Sequence, residues 1–126
     1  MGSDNFLLDT TIVLYYLNGD DDLVTFLDDR NISISIIAEM ELLSLPSITP
    51  METVQTVNFI SELTIYPLNE KVKNVAIALR KQYELKLAIS IIAATAIVYK
   101  LQLITADIDF DVVKELDMLH YQPFKG

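Results

Sequence analysis

Residues 88–100 are apolar on nearly every bearing that a helix offers, with Ile91-Ile92-Ala93-Ala94-Thr95-Ala96 at their centre. A helix with no polar face has to be covered on all sides, and this one is shorter than the roughly 20 residues that span a bilayer. It is therefore expected to be the central helix of a globular core. The cover is announced by short apolar runs alternating with helix-length segments, a pattern that implies a mainly parallel sheet with helices on both faces. The expected fold class is α/β, a three-layer α/β/α sandwich.

At 126 residues the chain fits one domain, residues 1–126, long enough to bury one core unaided. An apolar fraction of 52% with 3 Gly and 4 Pro excludes a disordered chain. Disorder is expected only at the ends, with residues 1–4 disordered or appended. With no Cys there is no disulfide framework and no thiolate site, which suits a reducing cytoplasm. The lone His120 completes neither a histidine-rich metal site nor a Ser-His pair. No segment reaches about 18 uninterrupted apolar residues, and no basic region precedes an apolar stretch at the amino terminus, so neither membrane insertion nor export is expected. The 18 acids against 9 bases give a net charge of −9, which opposes a general nucleic-acid-binding surface. A bound divalent ion can reverse that field locally.

Strands are expected over residues 6–8, 31–35, 64–66, 101–105 and 118–121. Helices are expected from Thr10 or Thr11 as cap to a turn at Asn18-Gly19, from Asp20-Asp21-Asp22, over 36–45 before Pro46, and over 51–63. Further helices are expected over 70–83 behind Asn69, over 88–100 and over 108–116.

Asp9, Glu41 and Asp107 each fall just after an expected strand or one helical turn beyond it. Parallel strands bring such positions to one edge of a sheet, where open α/β folds place their ligands. Carboxylates gathered there suit Mg²⁺ or Mn²⁺, hard cations that take oxygen ligands, and metal-activated hydrolysis of a phosphodiester is the chemistry such a set can perform. Each acid also has a plain structural use. Asp9 and Asp107 can cap helices, Glu41 can sit on a solvated face, and Asp109 can be a first-turn acid.

The four segments that carry these acids resemble a PIN domain, a metal-dependent ribonuclease fold. Leu7-Leu8-Asp9-Thr10-Thr11 matches the family's opening strand and Asp, and Ser35-Ile36-Ile37-Ala38-Glu39-Met40-Glu41 its Ser-x-x-Thr-x-x-Glu segment. Ile91-Ile92-Ala93-Ala94 matches its central helix, and Leu103-Ile104-Thr105-Ala106-Asp107 with Asp109-Phe110 its closing signature. The spacing looks most like the toxin component of VapBC toxin–antitoxin pairs. The resemblance implies Asp9, Glu41 and Asp107 as catalytic acids, these three with Asp109 as metal ligands, an RNA substrate, an antitoxin partner and a homodimer.

The chain departs from the family's pattern at the same place. Ile89 stands where a third acid is expected, Thr11 where Asn is usual, and Ala38 where Thr is usual. Ile89 cannot ligate an ion, Ser90 lies on another helical bearing, and Glu39 turns away from Glu41. Nuclease activity is therefore expected to be weakened or lost, with function by dimer or antitoxin-type binding as the alternative. Residues 12–17 and 51–63 are the candidate partner surfaces. The region of Lys71, Arg80, Lys81 and Lys86 is the candidate basic surface. An aspartyl phosphatase fits less well, because Thr11 occupies the place of its second Asp.

Overall fold

The computed structural model describes residues 5–123. The expectation for residues 1–4 lies outside them. In chain order the elements are β1 (Asn5–Leu8), α1 (Thr10–Leu17), α2 (Asp21–Leu27), β2 (Asn31–Ser35), α3 (Ile36–Leu43) and α4 (Pro50–Ile60). There follow β3 (Thr64–Tyr66), α5 (Glu70–Tyr83), α6 (Leu87–Tyr99), β4 (Gln102–Thr105), a 3₁₀ turn (Ile108–Phe110) and β5 (Met118–His120). The strands form one sheet in the order β3-β2-β1-β4-β5, and every pairing is parallel. The strand order runs outward in opposite directions from β1 and β4, so the topological switch point lies between these two strands.

Alternate side chains of each strand feed opposite layers, as the pleat requires. Phe6, Leu8, Ile34 and Ile104 pack with Ile12, Leu23, Ala38, Leu42 and Ile60 from α1–α4. Leu7 and Leu103 point the other way, into a cluster with Val72 and Leu79 of α5, Ile92 and Ala96 of α6, and Phe110. In the run from Ile89 to Ala96 every residue of α6 is buried, as its lack of a polar face demands.

Local signals set most boundaries. Gly19 takes the left-handed conformation, φ 85°, between α1 and α2. Asn69 caps α5 by accepting from Val72 N–H. Helix α4 begins at Pro50 behind a capping box in which Thr49 accepts from Glu52 N–H and Glu52 accepts from Thr49 N–H. Thr49→Ala should cost about 1 kcal/mol, read as a shift in the urea midpoint at unchanged slope.

Two expectations need correction. Neither Thr10 nor Thr11 caps α1; Asp9 does, through its own carboxylate. The expected helix over 108–116 is a 3₁₀ turn followed by further turns, linked by Asp111 N–H to Ile108 O, Val113 N–H to Phe110 O and Leu116 N–H to Val113 O. Its apolar anchors, Phe110, Val113 and Leu116, recur at a spacing of three. That spacing suits 3₁₀ turns, whereas an α-helix would rotate these residues progressively off the core.

Candidate active site

Asp9 ends β1 at the switch point and is 5% exposed. Its backbone N–H donates to Ile104 O of β4 at 3.0 Å. Its Oδ1 accepts from Thr10 N–H at 2.8 Å, and its Oδ2 accepts from Thr105 Oγ1 at 2.7 Å. Thr105 Oγ1 in turn accepts from Asp107 N–H at 2.9 Å, and Asp107 Oδ1 accepts from Asp109 N–H at 2.8 Å. On the other side, Thr10 Oγ1 donates to Glu41 Oε1 of α3 at 2.6 Å. One hydrogen-bonded chain thus runs Glu41–Thr10–Asp9–Thr105–Asp107–Asp109 along the carboxyl edge of the sheet.

Burial pushes the Asp9 carboxyl above its ordinary value. Hydrogen bonds from Thr105 and Thr10 pull it back, and the charges of Asp107 and Glu41 push it further up. These charges act on one another within one cleft. A folded-state pKa above the unfolded one gives stability that is fully present below the unfolded value and lost as pH rises through the folded value. Asp9→Asn, which keeps a capping oxygen, should therefore raise Tm at about pH 7 and leave it unchanged at about pH 3. A Tm difference that does not vary with pH would assign the effect to packing.

The amino end of α6 borders the same acids, for Lys86 Nζ lies 3.7 Å from Asp109 Oδ2 and Lys86 is the residue that precedes α6. The first turn of α6 contains no acid and receives no side-chain cap. Ile89, in that turn, is 8% exposed and packs in the cluster of Leu7 and Phe110. Ser90 does not compensate, because its hydroxyl is buried and donates to Leu87 O at 2.6 Å. Ala38 is fully buried beside Ile12 and Leu42, a place where a hydroxyl would need a partner.

The donors are oxygens of the type a hard divalent cation takes. Among the described residues, no three Asp, Glu, His or Cys side chains gather closely enough to hold a metal ion. The carboxylates spend oxygens on hydroxyl and backbone donors instead. Sequence reasoning named all four acids but missed the two threonines that bridge them. In the sequence Thr10 reads as a cap and Thr105 as a signature residue; the Thr-x-Asp spacing of Thr105 and Asp107 is the available signal.

Together, a parallel α/β sheet and a carboxylate row at its switch point define the class. The PIN domain family model matches residues 6–116, and the chain belongs to the PIN-domain family. No curated protein sequence matches it. Among solved structures it is similar to a chain of a toxin–antitoxin complex from Klebsiella pneumoniae, at 28% identity over 89% of this chain and 95% of that one, with a TM-score of 0.77. It is also similar to a chain of VapBC2 from Rickettsia felis bound to a DNA fragment from their promoter, at 24% identity over 93% and 98% with a TM-score of 0.82. A third similar chain is from DNA-bound VapBC of Salmonella typhimurium, at 19% identity over 92% and 97% with a TM-score of 0.78. Among the described residues, no helix is long and apolar enough to cross a membrane.

Proposed function

We propose that this chain is a VapC-like member of its family whose metal-dependent endoribonuclease cleft is attenuated, so that RNA cleavage is slow or lost. The observation that carries this reading is Ile89, an apolar side chain buried in the first turn of α6 in the same cluster as Phe110, three residues beyond the Lys86 that reaches Asp109, at the position where the family pattern has an acid. Asp9, Glu41 and Asp107 remain as the acids of the cleft, with Asp109 at its rim. Incubation with structured RNA and Mn²⁺ should give slow cleavage that disappears with a chelator and in Asp107→Asn. Cleavage that survives either change removes the reading.

A second reading, function through partner binding, is favoured by the exposed face of α4. Met51, Val54 and Val57 are 73%, 59% and 47% exposed. On the other bearing of α4, at Glu52, Gln55 and Thr56, a groove of about 170 Å³ is lined in part by Leu14 and Leu17 of α1 with Leu45 and Ile48. Ile12 and Val13 are committed to the core, which narrows the expected surface over 12–17 to Leu14 and Leu17. An antitoxin-type partner is expected to lay an apolar helix there. Leu68, Ile77 and Leu87 around a second groove, of about 480 Å³, supply a surface for a homodimer. Loss of a co-purifying small partner in Val54→Asp, with no cleavage even after Ile89→Asp, would favour this reading over the first.

A further inference from the structure

A hollow of about 390 Å³ opens at the carboxyl edge of the sheet, lined by Tyr15, Ala106, Gln122 and Pro123. Its size falls within the roughly 300–1,000 Å³ of small-molecule sites, and the carboxylate row leaves it unexplained. Its position is set by the same backbone. Ala106 lies between Thr105, which donates to Asp9, and Asp107. Tyr121 N–H donates to Thr105 O at 2.8 Å, so the chain beyond β5 leaves the sheet alongside the cleft.

The aromatic wall is held from behind. The Tyr15 and Tyr121 rings lie 6.3 Å apart, centre to centre, at 52°. Tyr121 OH donates to Asp20 Oδ2 at 2.7 Å, and Asp20 is itself fixed as the cap of α2. Burial and the Asp20 bond push the Tyr121 phenol up to about 12, so it stays a donor. Gln122 is exposed and its amide offers both a donor and an acceptor.

Charge selects what can enter. Asp107 adjoins one side, while Asp20, Asp21 and Asp22 line the next hollow beyond Tyr15, and the whole chain carries −9. A phosphate is repelled from such a place. A flat, neutral group with a π face and a polar edge is not. We propose that the hollow is a nucleobase subsite, in which a base stacks on Tyr15 and presents its edge to Gln122 with the sugar-phosphate left outside. The inference rests on the reading that RNA is the substrate. Base–aromatic stacking tolerates any sequence.

The test is an NMR titration of the metal-free protein with the four neutral nucleosides, with adenosine monophosphate and with argininamide. Nucleosides should shift Tyr15, Ala106 and Gln122 signals saturably, and the monophosphate should bind more weakly. Ala106→Leu, which fills the hollow without emptying the core, and Tyr15→Ala should abolish those shifts. Tyr15→Phe, which keeps the ring, should bind within about two-fold of the parent. Absence of saturable shifts, shifts that persist in Ala106→Leu, or a response to argininamide in place of nucleosides overturns the proposal. Nucleoside binding involves neither metal nor cleavage. A chain that binds nucleosides but never cuts RNA therefore loses the nuclease reading alone, and one that cuts RNA without this subsite loses the subsite alone.

Discussion

Ile89→Asp is expected to give a protein that cuts structured RNA in Mn²⁺ far faster than the parent and that melts at a lower temperature. Losing even an outer partner of a metal ligand costs about 10- to 100-fold in metal affinity or activity, so supplying a missing direct ligand should gain at least that much. The cost comes from the core. Ile89 is 8% exposed and packs with Leu7 and Phe110, and emptying such a site costs about 2–5 kcal/mol. An acid in the uncapped first turn of α6 returns about 0.3–1 kcal/mol through the helix dipole. Carboxylates crowded without metal repel, so the variant should regain stability when Mn²⁺ is added. Ile89→Asn is the control: it should lose similar stability and gain no cleavage. Equal cleavage by Ile89→Asn and Ile89→Asp would mean that shape at this position matters and ligation does not.

Phe110→Ala should be among the most destabilising single changes in the chain. Phe110 is fully buried where the turn after Asp107 meets the α5–α6 layer, and its N–H donates to Asp107 O. Truncating a buried Phe costs about 3–5 kcal/mol out of the roughly 5–15 kcal/mol that hold a domain together. Tm should fall by at least about 10 °C. The same ring anchors the segment that carries Asp107 and Asp109, so the loss should also loosen the hydrogen bond between them. A Tm within about 3 °C of the parent would show that this turn is not held by its aromatic anchor.

Those two residues illustrate what a sequence discloses. The strand ending in Asp9 and the apolar helix around Ile92 were legible because burial on both faces leaves an unbroken apolar run, bounded by residues that stop it. The places of Asp9, Glu41 and Asp107 were legible because parallel strands deliver their carboxyl ends to one edge. The turn holding Phe110 reads as an α-helix in the sequence because spacings of three and four are nearly alike over so short a stretch. The bonds from Thr10 to Glu41 and from Thr105 to Asp9 join residues 31 and 96 apart in the chain, and no local pattern announces them. The same holds for Tyr121 and Asp20, 101 residues apart. Ile89 was readable as a departure from a family pattern, but its cost to the cleft follows from its burial and from Lys86 reaching Asp109.

On the proposed function, the remaining acids, wired to one another through threonines and short of one ligand, do not hold a divalent ion tightly. Calorimetric titration of Mn²⁺ into the unaltered protein tests it most directly. No saturable heat is expected below about 1 mM Mn²⁺. A single site filling with a Kd of about 10 µM or tighter would contradict it, and would mean that Asp9, Glu41 and Asp107 rearrange into a competent centre without a fourth acid.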